Sequence, residues 1–234
     1  MVLQLIILQF IAHLLADFTF QPQRWCNKKE NDIITSYHVY HIIIVFVTSY
    51  ILSFDIGYWI AAVLLTVVHF SIDVLKSWII LHARLKLIFF IDQFIHLCTI
   101  IGIVLLYNEV FGIDFLFPMD TKLLAVIAGF LLCGKTSNII IKFIFQAFAI
   151  ETPAETPNIS EGKSLPNAGK LIGITERFLA LALILLGQYE AVGLIIAAKS
   201  ILRFRETRKS EYVLVGTLLS FGIATLTGII IKLL

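Results

Sequence analysis

Charge is what this sequence lacks most. Asp, Glu, Lys and Arg make up 15% of the 234 residues, against about 25% in soluble domains. With 59% hydrophobic residues and a mean hydropathy of +0.94, a disordered chain is excluded and an ordinary soluble globule is not expected. A net charge of +2 supplies no basic field, which excludes a nucleic-acid-binding module. Cysteine is also scarce. Cys26, Cys98 and Cys133 follow no disulfide or metal spacing, and Cys98 and Cys133 fall in apolar runs where a thiol serves as a small core residue. The N-terminus has neither a basic leader nor a small-residue cleavage site, and its apolar run carries His13 and Asp17. It reads as a retained first span.

Long apolar runs fill the rest. A bilayer core takes about 20 apolar residues per helix. On that measure spans fall near 2–20, 35–54, 57–80, 87–107, 121–149, 170–187, 190–204 and 211–232, the seventh being short enough to be half-inserted. The expected fold is all-α: a polytopic transmembrane bundle of about eight helices in two four-helix halves. Residues 1–107 would form an N-terminal His/Asp membrane domain and 121–234 a C-terminal helical membrane domain. Glu151 to Gly169, with Pro153, Pro157 and Pro166, reads as the loop between the halves, and Tyr107 to Asp120 as a second loop.

Loops after odd-numbered spans, with their edges, carry Arg24, Lys28, Lys29, Arg84, Lys86, Lys142, Lys163, Lys170, Arg203, Arg205, Arg208 and Lys209. Those after even-numbered spans carry only Lys122 and Lys232. The positive-inside rule then puts the odd loops in the cytoplasm and both termini outside.

Five of the six histidines lie in the first four spans, each time with a partner three or four residues away: His13 with Asp17, His38 with His41, His69 with Asp73, and Asp92 with His96. At that spacing both members project from the same side of a helix. Gln9 and Gln21 extend the first stripe, and Lys76 extends the third. All four pairs sit in the cytoplasmic half at a similar depth, although the histidines played no part in assigning the topology. His13 to His41 spans 28 residues and His69 to His96 spans 27, a faint internal repeat of two helical hairpins. His82 falls off the stripe and reads as a surface residue.

Ionisable groups inside a membrane are costly and point to function. Imidazole and carboxylate together suit Zn²⁺, Mn²⁺ or Fe²⁺, and helical bundles build metal sites from such pairs on facing helices. The expected ligands are His13, Asp17, His69, Asp73, Asp92 and His96. His38 and His41 act as further ligands or as a base, and Lys76 neutralises a carboxylate or holds a substrate phosphate. The same residues could instead line a proton or cation pathway, or form a structural polar network.

The second half carries its own charges: Lys135, Glu176, Arg177, Lys199, Arg203, Glu211 and Tyr212 beside it. The excess of positive charge could hold a phosphate or lipid headgroup. The plainer alternative is interhelical ion pairing, with Lys199 and Arg203 reaching the interface. Gly134-Lys135-Thr136-Ser137 is not a phosphate loop, since it lacks the upstream glycine and a preceding strand.

The run His13-Leu-Leu-Ala-Asp17-Phe, His38-x2-His41, His69-Phe-Ser-Ile-Asp73-x2-Lys76 and Asp92-Gln93-x2-His96 resembles a domain-of-unknown-function family of bacterial multi-pass membrane proteins. Ile172-Gly-Ile-Thr-Glu176-Arg177, Ala198-Lys199-Ser200-Ile-Leu-Arg203-Phe204 and Glu211-Tyr212-x3-Gly216-Thr217-Leu218 resemble its longer members. The resemblance implies a bacterial cytoplasmic-membrane protein and assigns no reaction. More loosely, the helices are similar to membrane-bound metal-dependent hydrolases in residue type and spacing.

The leading expectation is a metal-dependent hydrolase or transferase acting at the cytoplasmic face on a lipid-like or phosphate-bearing substrate. The alternatives are a divalent-cation or proton transporter, and a scaffold whose charges serve helix packing. Ile42 to Val47 and Ile60 to Leu65 contain no polar side chain, which speaks against a path through the membrane.

Overall fold

The structure is a computed structural model that describes residues 1–22, 36–82, 86–150, 168–203 and 210–234. Arg24, Lys28, Lys29, Arg84, Lys163, Arg205, Arg208 and Lys209, which carry much of the orientation argument, lie outside the described residues. So do Cys26, nearly all of the 151–169 loop, and the side chains of Arg203, Glu211 and Tyr212.

Among the described residues there are eight helices and no strand: α1 (Val2–Thr19), α2 (Ser36–Ser53), α3 (Trp59–His82, entered through a 3₁₀ turn at Ile56–Tyr58), α4 (Ile88–Val110), α5 (Thr121–Ala147), α6 (Ala168–Leu185), α7 (Tyr189–Arg203) and α8 (Ser210–Leu233). Six of them, α1 to α5 and α8, are long and apolar enough to cross a membrane. One of the eight expected spans, α6, is not among these six, and the seventh is short as expected. α7 has 15 residues, which at about 1.5 Å per residue falls short of the hydrocarbon thickness. α6 carries Lys170, Glu176 and Arg177 within 18 residues. The composition is that of an integral membrane protein.

The described residues form two compact units, Met1–Ala128 and Gly129–Leu234. The division falls inside α5, ahead of the proline-rich stretch.

In the first unit α1 to α4 form a ring: α1 packs on α2 and α4, and α3 on α2 and α4. The helices run alternately up and down, so α1 and α3 are diagonal. The two His-x3-Asp helices therefore face each other across the centre. Each helix turns one stripe inward, and that stripe is where the polar residues are. On α2 it is His38, His41, Val45, Ser49 and Ser53; on α3 it includes Leu65, His69, Asp73 and Ser77; on α4 it includes Phe89, Asp92, His96 and Ile100. The outward faces are apolar, with Val39, Ile43, Val47 and Ile51 on α2 and Val63, Leu64 and Val67 on α3 all exposed. Polar-in and apolar-out is the arrangement a lipid solvent selects.

The bundle has two unlike ends. Its interior away from the histidines is filled by Leu5, Val45, Tyr58, Ala62, Leu65, Ile100, Val104 and Tyr107. Beyond them Asp55, between α2 and α3, is buried and fully engaged. Its Oδ1 accepts from the Gly57 N–H at 2.8 Å, and its Oδ2 accepts from the Tyr107 hydroxyl at 2.9 Å and the Asp114 N–H at 3.0 Å. Tyr107 stacks edge-on against Tyr58 at 4.9 Å. Gly57 permits this approach, since a Cβ there would lie 2.9 Å from the Tyr107 hydroxyl. One carboxylate thus ties three chain segments into a knot.

In the second unit α6 packs against α8, α7 and the middle of α5. α8 approaches α6 closely at Gly228, where a Cβ would stand 2.5 Å from Ile184 Cγ2; small residues let membrane helices meet in this way. α5 is broken over Leu132–Thr136, with Gly134 at φ −76° and ψ −129°.

Candidate metal centre

The stripes converge at one level of the first unit. Asp17 comes from α1, His41 from α2, His69 and Asp73 from α3, and Asp92 and His96 from α4. His41 is 1% exposed, His69 and His96 2%, and Asp92 3%. Asp17 sits on a widened, π-helical turn over Leu14–Thr19, closed by the Phe20 N–H on the Leu15 carbonyl five residues back at 2.8 Å. Such turns recur at functional sites.

The distances are those of ligands grouped around a small cation. Asp17 Oδ1 lies 3.6 Å from His13 Nδ1, 3.4 Å from His41 Nε2 and 3.6 Å from His69 Nε2. His41 Nε2 and His69 Nε2 are 3.0 Å apart. Two donors on a tetrahedral ion, each bonded at about 2.1 Å, are separated by about 3.4 Å. Asp73 faces both ways: its Oδ2 is 3.7 Å from His41 Nε2 and its Oδ1 is 4.0 Å from His96 Nε2. Three overlapping sets could each hold a metal ion: His13, Asp17 and His69; His41, His69 and Asp73; and Asp73, Asp92 and His96. In each set one ligand atom per residue lies within 4.8 Å of the others.

Outer hydrogen bonds fix which ring nitrogens face inward. His96 Nδ1 donates to the Asp92 carbonyl at 2.8 Å, which leaves Nε2 as a buried lone pair without a hydrogen bond. Gln93 Nε2 donates to Asp92 Oδ2 at 3.0 Å. That orients the Gln93 carbonyl oxygen toward His13, which donates to it from Nε2 at 3.1 Å and so turns the Nδ1 lone pair toward Asp17. Partners of this kind set tautomer and basicity in metal sites. Lys76 Nζ donates to Asp92 Oδ2 at 2.7 Å, a different carboxylate from the Asp73 one turn away on its own helix. Asp92 Oδ1 and His41 Nδ1 are buried without a hydrogen bond.

One expected member stands apart, and His82 lies outside the cluster as its place off the stripe indicates. His38 is buried but belongs to none of the three sets, and packs edge-on against Phe70 at 6.2 Å. His82 is exposed at the end of α3, stacked on Trp78 at 4.8 Å. On the apolar side a small cavity adjoins His13, His69 and His96, with Gln9, Thr48 and Ser49 in its wall. Gln9 is held there by Ser49, whose hydroxyl donates to Gln9 Oε1 at 2.6 Å.

The second constellation is organised otherwise. Arg177 is 1% exposed. Its Nε donates to the Cys133 carbonyl at 2.6 Å and one terminal nitrogen to Ser220 Oγ at 3.0 Å. The other terminal nitrogen donates to the Gly134 carbonyl at 3.2 Å and Asn138 Oδ1 at 2.7 Å. The guanidinium thus satisfies the carbonyls that the break in α5 releases. Lys199 pairs with Glu176, and Lys135 is exposed at the break.

Residue spacing singled out the four pairs but missed Gln93, the π turn and Asp55. Gln93 is adjacent to Asp92 and so lies off the i+4 stripe. No glycine or proline marks the turn at Asp17, and Asp55 sits in a short connection with no pattern of its own.

Fold and site together define a polytopic helical membrane protein with a buried His/Asp cluster shared among four helices. Residues 5–123 match the family described as Protein of unknown function (DUF3307), and the chain belongs to that family. The matched segment takes in α1 to α4 and so every residue of the cluster; α6 to α8 lie beyond it. No curated protein and no solved structure matches the chain.

Proposed function

We propose that this protein is a membrane-embedded metalloenzyme, a hydrolase or transferase that acts at the cytoplasmic face on a lipid-like or phosphate-bearing substrate. The observation that carries this reading is Asp17 Oδ1, which stands 3.4–3.6 Å from imidazole nitrogens on three different helices. Those gaps match the separation of two donors on one tetrahedral ion. Zn²⁺, Mn²⁺ or Fe²⁺ suits the donor set.

In this reading His13, Asp17, His69, Asp73, Asp92 and His96, together with His41, are the residues that supply metal ligands. When bound, the ion supplies Lewis acidity, which acidifies a water and polarises a phosphoryl or acyl oxygen. His38, one turn from His41 toward the same end of the bundle, is the general base. Lys76, with 29% of its side chain exposed, holds an anionic group at the rim while it neutralises Asp92. Gln93 and the Asp92 carbonyl keep the two outer imidazoles in the tautomers that ligation needs.

A cation pathway fits less well. Between the cluster and the Asp55 knot the interior is mostly apolar, and the buried polar groups Gln9 and Ser49 are already bonded to each other, which leaves a hydrated ion few partners. Uptake of Zn²⁺ or Mn²⁺ into vesicles containing the protein is expected to match empty vesicles.

The test is metal content. Protein purified in detergent without chelator is expected to carry a transition metal at one or more per chain, and Asp17→Asn and Asp73→Ala to lose it. A folded wild-type preparation that contains none, and binds none when Zn²⁺, Mn²⁺ or Fe²⁺ is supplied, removes the proposal.

A further inference from the structure

We infer that the cluster holds two divalent cations bridged by the Asp73 carboxylate, and that the pair receives a phosphoryl group. This rests on the metal-binding reading above and goes beyond it in number, arrangement and ligand.

Asp73 carries the argument. Its two oxygens are divided between two sets of nitrogens, Oδ2 toward His41 at 3.7 Å and Oδ1 toward His96 at 4.0 Å. A carboxylate so placed spans two ions, and ions in paired sites stand about 3.5–4 Å apart. On one side lie His13, Asp17, His41 and His69. On the other lie Asp92 Oδ1 and His96 Nε2, both buried and both without a hydrogen bond. Their remaining polar atoms are already engaged: Asp92 Oδ2 by Lys76 and Gln93, and His96 Nδ1 by a backbone carbonyl. A single ion beside Asp17 would leave this second set unexplained.

The internal repeat points the same way. α1 and α2 bring His13, Asp17 and His41; α3 and α4 bring His69, Asp73 and His96 at nearly the same spacing. The two hairpins each contribute a His-Asp-His set to the cluster, with His69 of the second hairpin turned to the first side and Asp73 between the two.

Charge selects the ligand. Asp17, Asp73 and Asp92 against Lys76 leave the cluster two charges negative. One divalent cation neutralises it; a second makes it two charges positive, the complement of a phosphate monoester dianion. Two-metal sites bind both the attacking and the leaving oxygen in phosphoryl chemistry.

The experiment uses the full chain in detergent, loaded with Mn²⁺ and desalted. Two Mn²⁺ per chain with an exchange-coupled electron paramagnetic resonance signal is the expected result. One Mn²⁺ per chain with an isolated six-line signal overturns the pair and leaves the metalloprotein reading intact; no bound metal overturns both. Asp92→Asn and His96→Gln are each expected to retain one uncoupled Mn²⁺, and two coupled ions in either overturn the assignment of the second site. Inorganic phosphate and phosphatidic acid in mixed micelles are then compared by ³¹P line broadening. Either is expected to broaden at least tenfold more with wild type than with Asp92→Asn. Tighter binding of the lipid identifies a headgroup and tighter binding of free phosphate a soluble ester, while equal broadening with both proteins overturns the phosphoryl assignment.

Discussion

Both units of this protein bury strongly polar side chains among apolar helices, and they treat them in opposite ways. In the C-terminal unit Arg177 is almost completely enclosed, and its donors meet Cys133 O, Gly134 O, Asn138 and Ser220. In the N-terminal unit His41 Nδ1, Asp92 Oδ1 and His96 Nε2 are equally enclosed and make no hydrogen bond. An unsatisfied buried polar atom costs about 1–3 kcal/mol, and the cost is higher in a lipid solvent. A closed network explains itself as structure. An open one made of imidazole and carboxylate atoms has room for a ligand, and the proposed metal site rests on that contrast.

The sharpest break of that comparison is Arg177→Met. It should strand the carbonyls of the broken α5 and lower stability by roughly 3–5 kcal/mol, since several buried acceptors lose their donor together at about 1–3 kcal/mol each. Thermal unfolding in detergent would measure this. Retained stability would mean that the break in α5 needs no guanidinium, and the contrast between closed and open networks would fail.

Asp55→Ala comes next. The Gly57 and Asp114 N–H groups and the Tyr107 hydroxyl lose their acceptor together, with an expected loss of about 2–4 kcal/mol. Metal bound per folded chain should not change, because the knot lies at the other end of the bundle. A fall in metal content without a fall in stability would contradict that separation.

Gln93→Leu sharpens the comparison from inside the cluster. It removes the acceptor that turns His13 and the donor that steadies Asp92, yet no proposed ligand. Loss of an outer partner of this kind lowers metal affinity about 10–100-fold. Competition with a chelator would read this, while the melting temperature of the metal-free protein should move little. The smallest effect is expected for His82→Ala, which removes the one histidine outside the stripes. Stability should stay within about 0.5 kcal/mol, and metal binding should be unaltered; a loss of metal would mean that the α3 terminus contributes to the site.

Much of this was legible before any coordinates. Scarce charge and long apolar runs dictate membrane helices, because a backbone without water must satisfy its own hydrogen bonds. Four His/Asp pairs at i+3 or i+4 must each share a helix face, and alternating helix direction brings them to one level. The second half was less legible. Glu176, Arg177 and Lys199 suggested an anion site as readily as a packing device, since composition does not reveal where α5 breaks or which carbonyls the break frees. Arg203, Glu211 and Tyr212 lie where no side chain is described.

Periodicity is a property of one helix at a time, so the chain by itself determined which residues share a stripe and how deep they lie. Which atoms meet is decided laterally, by the order in which helices pack and the rotation each adopts. Only the folded bundle placed Asp17 Oδ1 among three imidazoles, divided the oxygens of Asp73 between His41 and His96, and turned Gln93 onto His13. Those contacts join residues up to 80 positions apart, a separation over which no local pattern carries information.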